Sequence, residues 1–176
     1  SGYPYSLMVA KGLILAGSAS RVLLLSADAL TTLIHPQDRA LVSLHGDGAA
    51  ATILEASSDE RSGIIGIDVG TDGSGADNLI VPAGGARCPS SEQTRVEETD
   101  ESGCTRTAEH LYMNGPAVFH FSVYKVPDVI TSAVEKFGLA LDDFDLIVLH
   151  QANRTMLDLI YKRLHIPEEK RYYYHA

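Results

Sequence analysis

An α/β fold, with helices laid against a doubly wound sheet, is what this sequence predicts. Three observations predict it. A helix closed by Gly17 is followed at once by the continuous apolar run 21–27, which suits a strand covered on both faces. A long helical pattern fills 117–137. The apolar run 146–149 stops abruptly in His150, Gln151 and Asn153 and passes straight into a helical pattern over 154–164. Polar side chains at the carboxyl end of a buried strand, where a helix begins, mark the edge at which such folds build their sites.

Taken in order, residues 5–16 form an apolar-rich helix with Gly17 as its C-terminal cap. After the 21–27 strand, 28–44 is mixed, helical or looped around Pro36. Gly46, Asp47 and Gly48 make a tight turn, with Asp47 fixing it by bonding to the backbone between the glycines. The small residues from Ala49 lead into Ile53 and Leu54 as a second strand, closely approached by its neighbours. Residues 64–69 read as a further strand. The glycine cluster 70–75 after them lacks the spacing and the following helix of a dinucleotide site, so it reads as a turn.

Residues 83–108 are polar, rich in Glu and Thr, and longer than most connections, which suits either a functional flap or a solvated insertion. The 117–137 helix meets Pro127, expected to kink or split it, and closes at Gly138. Asn153 is placed to cap the 154–164 helix, which ends before Pro167. Residues 171–176 read as a last strand.

With 176 residues, 45% apolar and 21% charged, the chain can bury a core. A net charge of −9, with 14 scattered Lys and Arg against 23 Asp and Glu, argues against nucleic acid as a partner. Cys88 and Cys104 have no CxxC and no histidine at ligand spacing, so neither a metal site nor a disulfide framework is expected, and a reducing cytoplasm is the default compartment. No apolar run approaches the roughly 20 residues of a membrane span. His45 reads as structural. His35, His110, His165 and His175 show no convergent partners and read as surface residues.

Four separated stretches together resemble one family: Gly46, Asp47, Gly48, Ala49 and Ala50; Met113, Asn114 and Gly115 with Val118 and Phe119; Leu141, Asp142, Asp143, Phe144 and Asp145; and above all the tetrapeptide His150, Gln151, Ala152, Asn153. The chain is similar to the thiolase-fold 3-oxoacyl-acyl-carrier-protein synthase III enzymes, with 83–108 the weakest part of the match. The resemblance implies a thiolase-like layered α/β fold, here mostly the central portion of a two-lobed architecture. Residues 1–60 would belong to the N-terminal half and 61–176 to the C-terminal half, with 83–108 inserted in the latter.

It also implies an acyltransferase of fatty acid or related biosynthesis that performs a decarboxylative Claisen condensation. A cysteine thiolate takes the acyl group from acyl-CoA, malonyl on acyl carrier protein loses carbon dioxide, and the carbanion attacks the acyl-enzyme. Acyl-CoA and malonyl-acyl carrier protein are substrates, and no cofactor is implied. His150 corresponds to the triad histidine, which polarises the malonyl thioester carbonyl and suits a neutral imidazole donating one N–H. Gln151 and Asn153 would orient that edge, with capping the stronger role for Asn153. Met113, Asn114, Gly115 and Phe119 correspond to the loop lining the acyl or pantetheine channel, although Phe119 equally suits the core.

The triad cysteine is expected immediately before Ser1 and the triad asparagine just beyond Ala176, so the isolated chain is expected to be inactive; the resemblance separately implies a homodimer for the full-length protein. Two basic positions of the family's carrier-protein face are His120 and Thr155 here. Arg154, Lys162 and Arg163 form either a replacement patch for an acidic carrier protein or an ordinary solvated helix face. Two alternatives stand beside this expectation: a related enzyme of specialised metabolism with another acceptor, and a non-catalytic partner subunit that keeps the surfaces without the nucleophile.

Overall fold

The computed structural model describes residues 2–59 and 62–174. Its elements in chain order are α1 (Gly2–Leu15), β1 (Arg21–Asp28), α2 (Arg39–Val42), β2 (Gly48–Glu55), β3 (Leu79–Ile80), β4 (Glu98–Thr99), β5 (Thr105–Arg106), β6 (Tyr112–Met113), α3 (Gly115–Lys136) and α4 (Arg154–Arg163), joined by short 3₁₀ turns. They form two compact units. One holds Ser1–Asp72 and Val81–Leu111, the other Gly73–Ile80 and Tyr112–Ala176.

In the first unit α1 ends as its sequence dictates. Gly17 takes φ +70, its N–H donates to Ile14 C=O, and Ser18 N–H donates to Leu13 C=O, which satisfies the last carbonyls of the helix. The helix packs on β1, burying Ala10 and Leu24. The opposite sheet face is open: Leu23 and Leu25 on β1, and Ile53 on β2, are 60%, 72% and 65% exposed. The expectation of a strand covered on both faces is therefore corrected for the described residues: α1 covers one face, and Leu23 and Leu25 stand exposed on the other.

β1 and β2 pair antiparallel, with Leu24 opposite Thr52. This corrects the doubly wound expectation for this pair, since the connection turns back instead of crossing a face. Asp47 secures that return. Its carboxylate accepts from Thr31 N–H and Thr31 Oγ1, both at 2.8 Å, so it reaches across the connection and does not merely brace its own turn. Residues 64–69 form no strand. Lys11 Nζ instead donates to the carbonyls of Ile64 and Ile65 at 2.7 and 3.1 Å.

Residues 83–108 are more structured than a solvated loop. β4 and β5 pair as a hairpin, and Cys104 beside it is buried. Arg106 bridges Asp38 at 3.0 Å and Asp100 at 2.6 Å, and Asp38 is buried, capping α2 with its other oxygen. Leu111 N–H donates to Leu33 C=O at 2.7 Å. His35 is buried and packs edge-on against His110 at 4.8 Å, so these two are not the surface residues their sequence neighbourhoods suggest.

In the second unit β3 pairs with β6, and α3 starts at an Asn114 cap that accepts from Ala117 N–H at 3.2 Å. Pro116 sits in the first turn, where its missing N–H costs nothing. Pro127 does not split α3, which runs through it and closes at Gly138 with φ +68. α4 crosses this helix over one apolar cluster of Val123, Met156, Leu157, Ile160, Tyr161, Leu164 and Ile166. Residues 146–149 are not a buried strand. They make one parallel bridge, Ile147 with Arg171, and alternate, with Ile147 and Leu149 packed inward and Leu146 and Val148 exposed. Of the strand expected over 171–176, Arg171 makes that bridge; residues 175 and 176, with His175, lie outside the described residues.

Candidate active site

The site residues of the second unit are positioned by the start of α4. Asn153, in extended backbone, accepts from Met156 N–H through its Oδ1 at 2.9 Å, which fixes where the helix begins. His150 lies three residues earlier, where the half-buried 147–149 segment ends. Its carbonyl accepts from Ala152 N–H at 3.0 Å, a tight turn that carries the chain from strand to helix. The imidazole is exposed and makes no hydrogen bond among the described residues, so both ring nitrogens are open to a ligand.

Gln151 behaves differently from its neighbour. Its Nε2 donates to Leu149 C=O at 2.8 Å, and its Oε1 accepts from Tyr174 N–H at 2.8 Å. Both ends of the amide are thus committed to backbone, which leaves it little capacity for a substrate. Asn153 is likewise spent as a cap.

At the other end of the unit, Met113 pairs with Leu79 and Asn114 caps α3, so Gly115 opens that helix. Gly115 and Phe119 line an open groove of about 800 Å³ between α3 and α4, with Leu159 and Arg163 on the far wall. Phe119 also touches the apolar cluster, so it packs in the core as well as lining the groove.

The three basic residues do not converge into one patch. Arg154 is bound to Asp158 at 3.1 Å and lies over the Tyr173 ring at 3.9 Å. Arg163, at the opposite end of α4, lies over the Tyr124 ring at 4.0 Å, and Tyr124 in turn stacks on His120 at 4.4 Å. Lys162 is exposed. Tyr173 donates to Asp158 at 2.6 Å. That bond, and then Arg154, hold Asp158 below the ordinary carboxylate range, while burial and then the Asp158 bond raise Tyr173.

Tyr161 is the residue that sequence reasoning passes over. It falls on the apolar face of α4 and reads as core, yet it is wholly buried and carries a hydroxyl that must find partners. It finds them in the backbone of the two segments beside His150, Ile147 C=O at 2.8 Å and Tyr172 N–H at 3.2 Å. The signal was the hydroxyl itself, at a position where Leu or Phe would fill the same space. Among the described residues no group of three or more His, Cys, Asp and Glu side chains could hold a metal ion. Neither cysteine stands at a helix N-terminus: Cys88 lies in irregular chain and Cys104 just before β5.

Residues 1–73 match the family model for 3-oxoacyl-[acyl-carrier-protein] synthase III, and residues 134–175 match the model for its C-terminal part. The β-ketoacyl-[acyl-carrier-protein] synthase III of Chlamydia caviae is 37% identical over 171 residues, which are 97% of this chain and 48% of that protein. A crystal structure of a 3-oxoacyl-(acyl-carrier-protein) synthase III superposes with a TM-score of 0.89 at 46% identity, over 97% of this chain and 51% of the other. The corresponding synthase from Burkholderia xenovorans gives 0.77 at 35%, over 97% and 47%. The chain thus spans about half the length of the curated relatives it matches. The second family model, 134–175, contains His150 with its cap, and the fold is the thiolase-like α/β architecture of those structures: the chain belongs to the 3-oxoacyl-acyl-carrier-protein synthase III family.

Proposed function

We propose that the full-length protein is a condensing acyltransferase that joins an acyl group from acyl-CoA to malonyl carried on acyl carrier protein, with His150 as a catalytic residue. The observation that carries this reading is the exposed imidazole of His150 at the turn before the Asn153-capped helix, with both ring nitrogens open among the described residues. A thiolate attacks the acyl-CoA carbonyl and expels the CoA thiolate. Malonyl-acyl carrier protein then loses carbon dioxide, and the electron pair of the broken carbon–carbon bond passes into the thioester as an enolate. His150 donates an N–H to that enolate oxygen, and the charge it stabilises develops only in the transition state. The enolate carbon attacks the acyl-enzyme, and collapse of the tetrahedral adduct returns the thiolate.

The nucleophile in this reading is a cysteine other than Cys88 and Cys104, since neither occupies the helix N-terminus that would lower a thiol pKa. Acyl-CoA and the carrier-bound malonyl are substrates, with no resident cofactor. Phe119 and Gly115 line the groove that would admit the pantetheine arm. Arg154, Lys162 and Arg163 act separately, Lys162 as the exposed charge toward the carrier protein. Residues 1–60 belong to the N-terminal half of the architecture and 61–176 to the C-terminal half, with 83–108 as an insertion. The protein works in the cytoplasm as a homodimer. Among the described residues no helix is long and apolar enough to cross a membrane.

The test is the full-length protein assayed with acetyl-CoA and malonyl-acyl carrier protein. His150→Ala is expected to lower malonyl decarboxylation by roughly 10²–10³-fold, as loss of one charge-stabilising donor does. Wild-type decarboxylation in that variant would sink the reading.

A further inference from the structure

The segment leading to His150 lies parallel to 171–174, and the two share one direct rung, Ile147 N–H to Lys170 C=O at 2.8 Å. In a regular parallel pair the next rungs toward His150 would run from Tyr172 N–H to Ile147 C=O, from Leu149 N–H to Tyr172 C=O and from Tyr174 N–H to Leu149 C=O. The Tyr161 hydroxyl joins the backbone groups of the first, the Gln151 amide those of the last, and the Tyr172 carbonyl accepts from both side chains. The Tyr161 hydroxyl accepts from Tyr172 N–H at 3.2 Å and donates to Ile147 C=O at 2.8 Å, with Tyr172 C=O at 3.1 Å sharing the proton. The Gln151 amide accepts from Tyr174 N–H and donates to Leu149 C=O, both at 2.8 Å, with Tyr172 C=O at 3.4 Å. The inserted group grows from a single oxygen to a three-atom O=C–N bridge. A longer side-chain bridge thus stands between the two segments at the end nearer His150.

We propose that Tyr161 and Gln151 are positioning residues for His150, which together fix the spread of the two segments and so the place of the imidazole. This rests on the proposed role of His150. Tyr161 suits the task because nothing about it is free to move. It is wholly buried, Tyr173 packs edge-on against it at 5.5 Å, and Arg171, beside the bridge, clasps Ile166 C=O with two nitrogens at 2.8 and 2.6 Å. Its backbone carbonyl holds Ile166 N–H at 3.0 Å, which anchors the end of α4. Tyr161→Phe would keep this packing and remove the spacer. Ile147 C=O and Tyr172 N–H would then be left unpaired or would close directly on each other, and either result moves the strand end. A shift on the order of 1 Å is enough to cost a reaction heavily.

The experiment compares Tyr161→Phe, Gln151→Met, His150→Ala and the double variant Tyr161→Phe with His150→Ala in the full-length protein. Decarboxylation kinetics, thermal melting and NMR of the histidine ring are read for each. Tyr161→Phe is expected to lower kcat about tenfold with KM within about twofold, to melt cooperatively, and to move the His150 ring signals but not those of His165. In the His150→Ala background it is expected to have no further effect. An equal loss in both backgrounds, or unmoved His150 signals with wild-type kcat, overturns the proposal while leaving the catalytic role of His150 intact. Wild-type activity in His150→Ala overturns both.

Discussion

Each of the two units owes its internal cohesion to different physics. In the second, α4 and α3 share one apolar cluster, and the polar groups near it, Tyr161, Gln151 and Asn153, bond to backbone. In the first, buried apolar residues are scattered over α1, β1, residues 34–41 and the 83–111 stretch, and the connections are made by side chains: Asp38 to Arg106 to Asp100, Asp47 to Thr31, His35 to Glu97. Apolar contact is insensitive to pH and intolerant of lost volume, whereas a polar network tolerates lost volume better but depends on charge. The candidate catalytic residue sits in the unit with the contiguous core, which suits a group that must be held in one place.

The sharpest way to break the contrast is to cut into the apolar cluster. Leu157→Ala removes a side chain that is 2% exposed at the centre of α4, and is expected to cost about 3 kcal/mol through lost burial and the cavity left behind. Denaturant unfolding measures it. A loss under about 1 kcal/mol would mean that the cluster does not carry the second unit.

Next in size is the corresponding cut in the first unit. Asp38→Ala leaves Arg106 with Asp100 and removes the cap of α2, and about 2 kcal/mol is expected. That lies below the usual cost of breaking a buried pair because Arg106 is partly exposed and keeps a partner. Arg106→Met alongside Asp38→Ala should recover part of the loss, since it removes the charge left behind. No recovery would show that the stability lay in the cap and not in the pair.

How each unit was read from the sequence follows the same division. Caps are local, so Gly17, Gly138 and Asn153 announced the ends of α1 and α3 and the start of α4, and the structure has them there. Pairing is not local. The apolar run 21–27 looks the same whether its neighbour is parallel or antiparallel, and nothing in Asp47 says that its partner is Thr31 sixteen residues back. The hairpin at 98–106 was hidden because polar, Thr-rich sequence reads as solvent-facing until a buried Asp38 and Cys104 are found against it. At the site, the motif carried His150, but the side-chain bridges needed coordinates, because Tyr161 and Tyr172 meet only when α4 folds back.

A smaller effect with the opposite sign probes how α4 ends. His165 takes φ +54, the only non-glycine residue with positive φ among those described, and occupies the place where a helix usually has glycine. Its N–H donates to Lys162 C=O and Ile166 N–H to Tyr161 C=O, so Tyr161 and Ile166, both buried, hold the turn despite the strain. His165→Gly is expected to stabilise by about 0.5–1 kcal/mol, the relief of left-handed strain less the added freedom of the unfolded chain. A melting temperature below wild type would count against this account.

The mildest perturbation is a proton, and it separates the units by pH. Burial, and then neighbouring His35, hold His110 below the ordinary imidazole range, against the pull of Glu109 and Glu97. The groups facing it are His35, edge-on, and Thr107, whose hydroxyl meets its Nδ1 at 2.7 Å, while Gln37 N–H donates to His35 Nδ1 and so directs the Nε2 proton of His35 toward Glu97. Because the folded value lies below the unfolded one, the unfolded chain binds the proton first as pH falls. Stability is then whole above about 6.5, the unfolded histidine value, and declines below it. The lowered carboxylates, Asp47, Asp100 and Glu109 in the first unit and Asp158 in the second, keep their contribution until pH falls below about 4. Between pH 7 and 5, amide protection corrected for intrinsic exchange should therefore fall in 83–111 while that of α4 holds. His110→Gln, which cannot titrate, should flatten the change in 83–111. An equal fall in both regions, or no flattening in that variant, would remove His110 as the cause and leave the contrast between the units resting on volume alone.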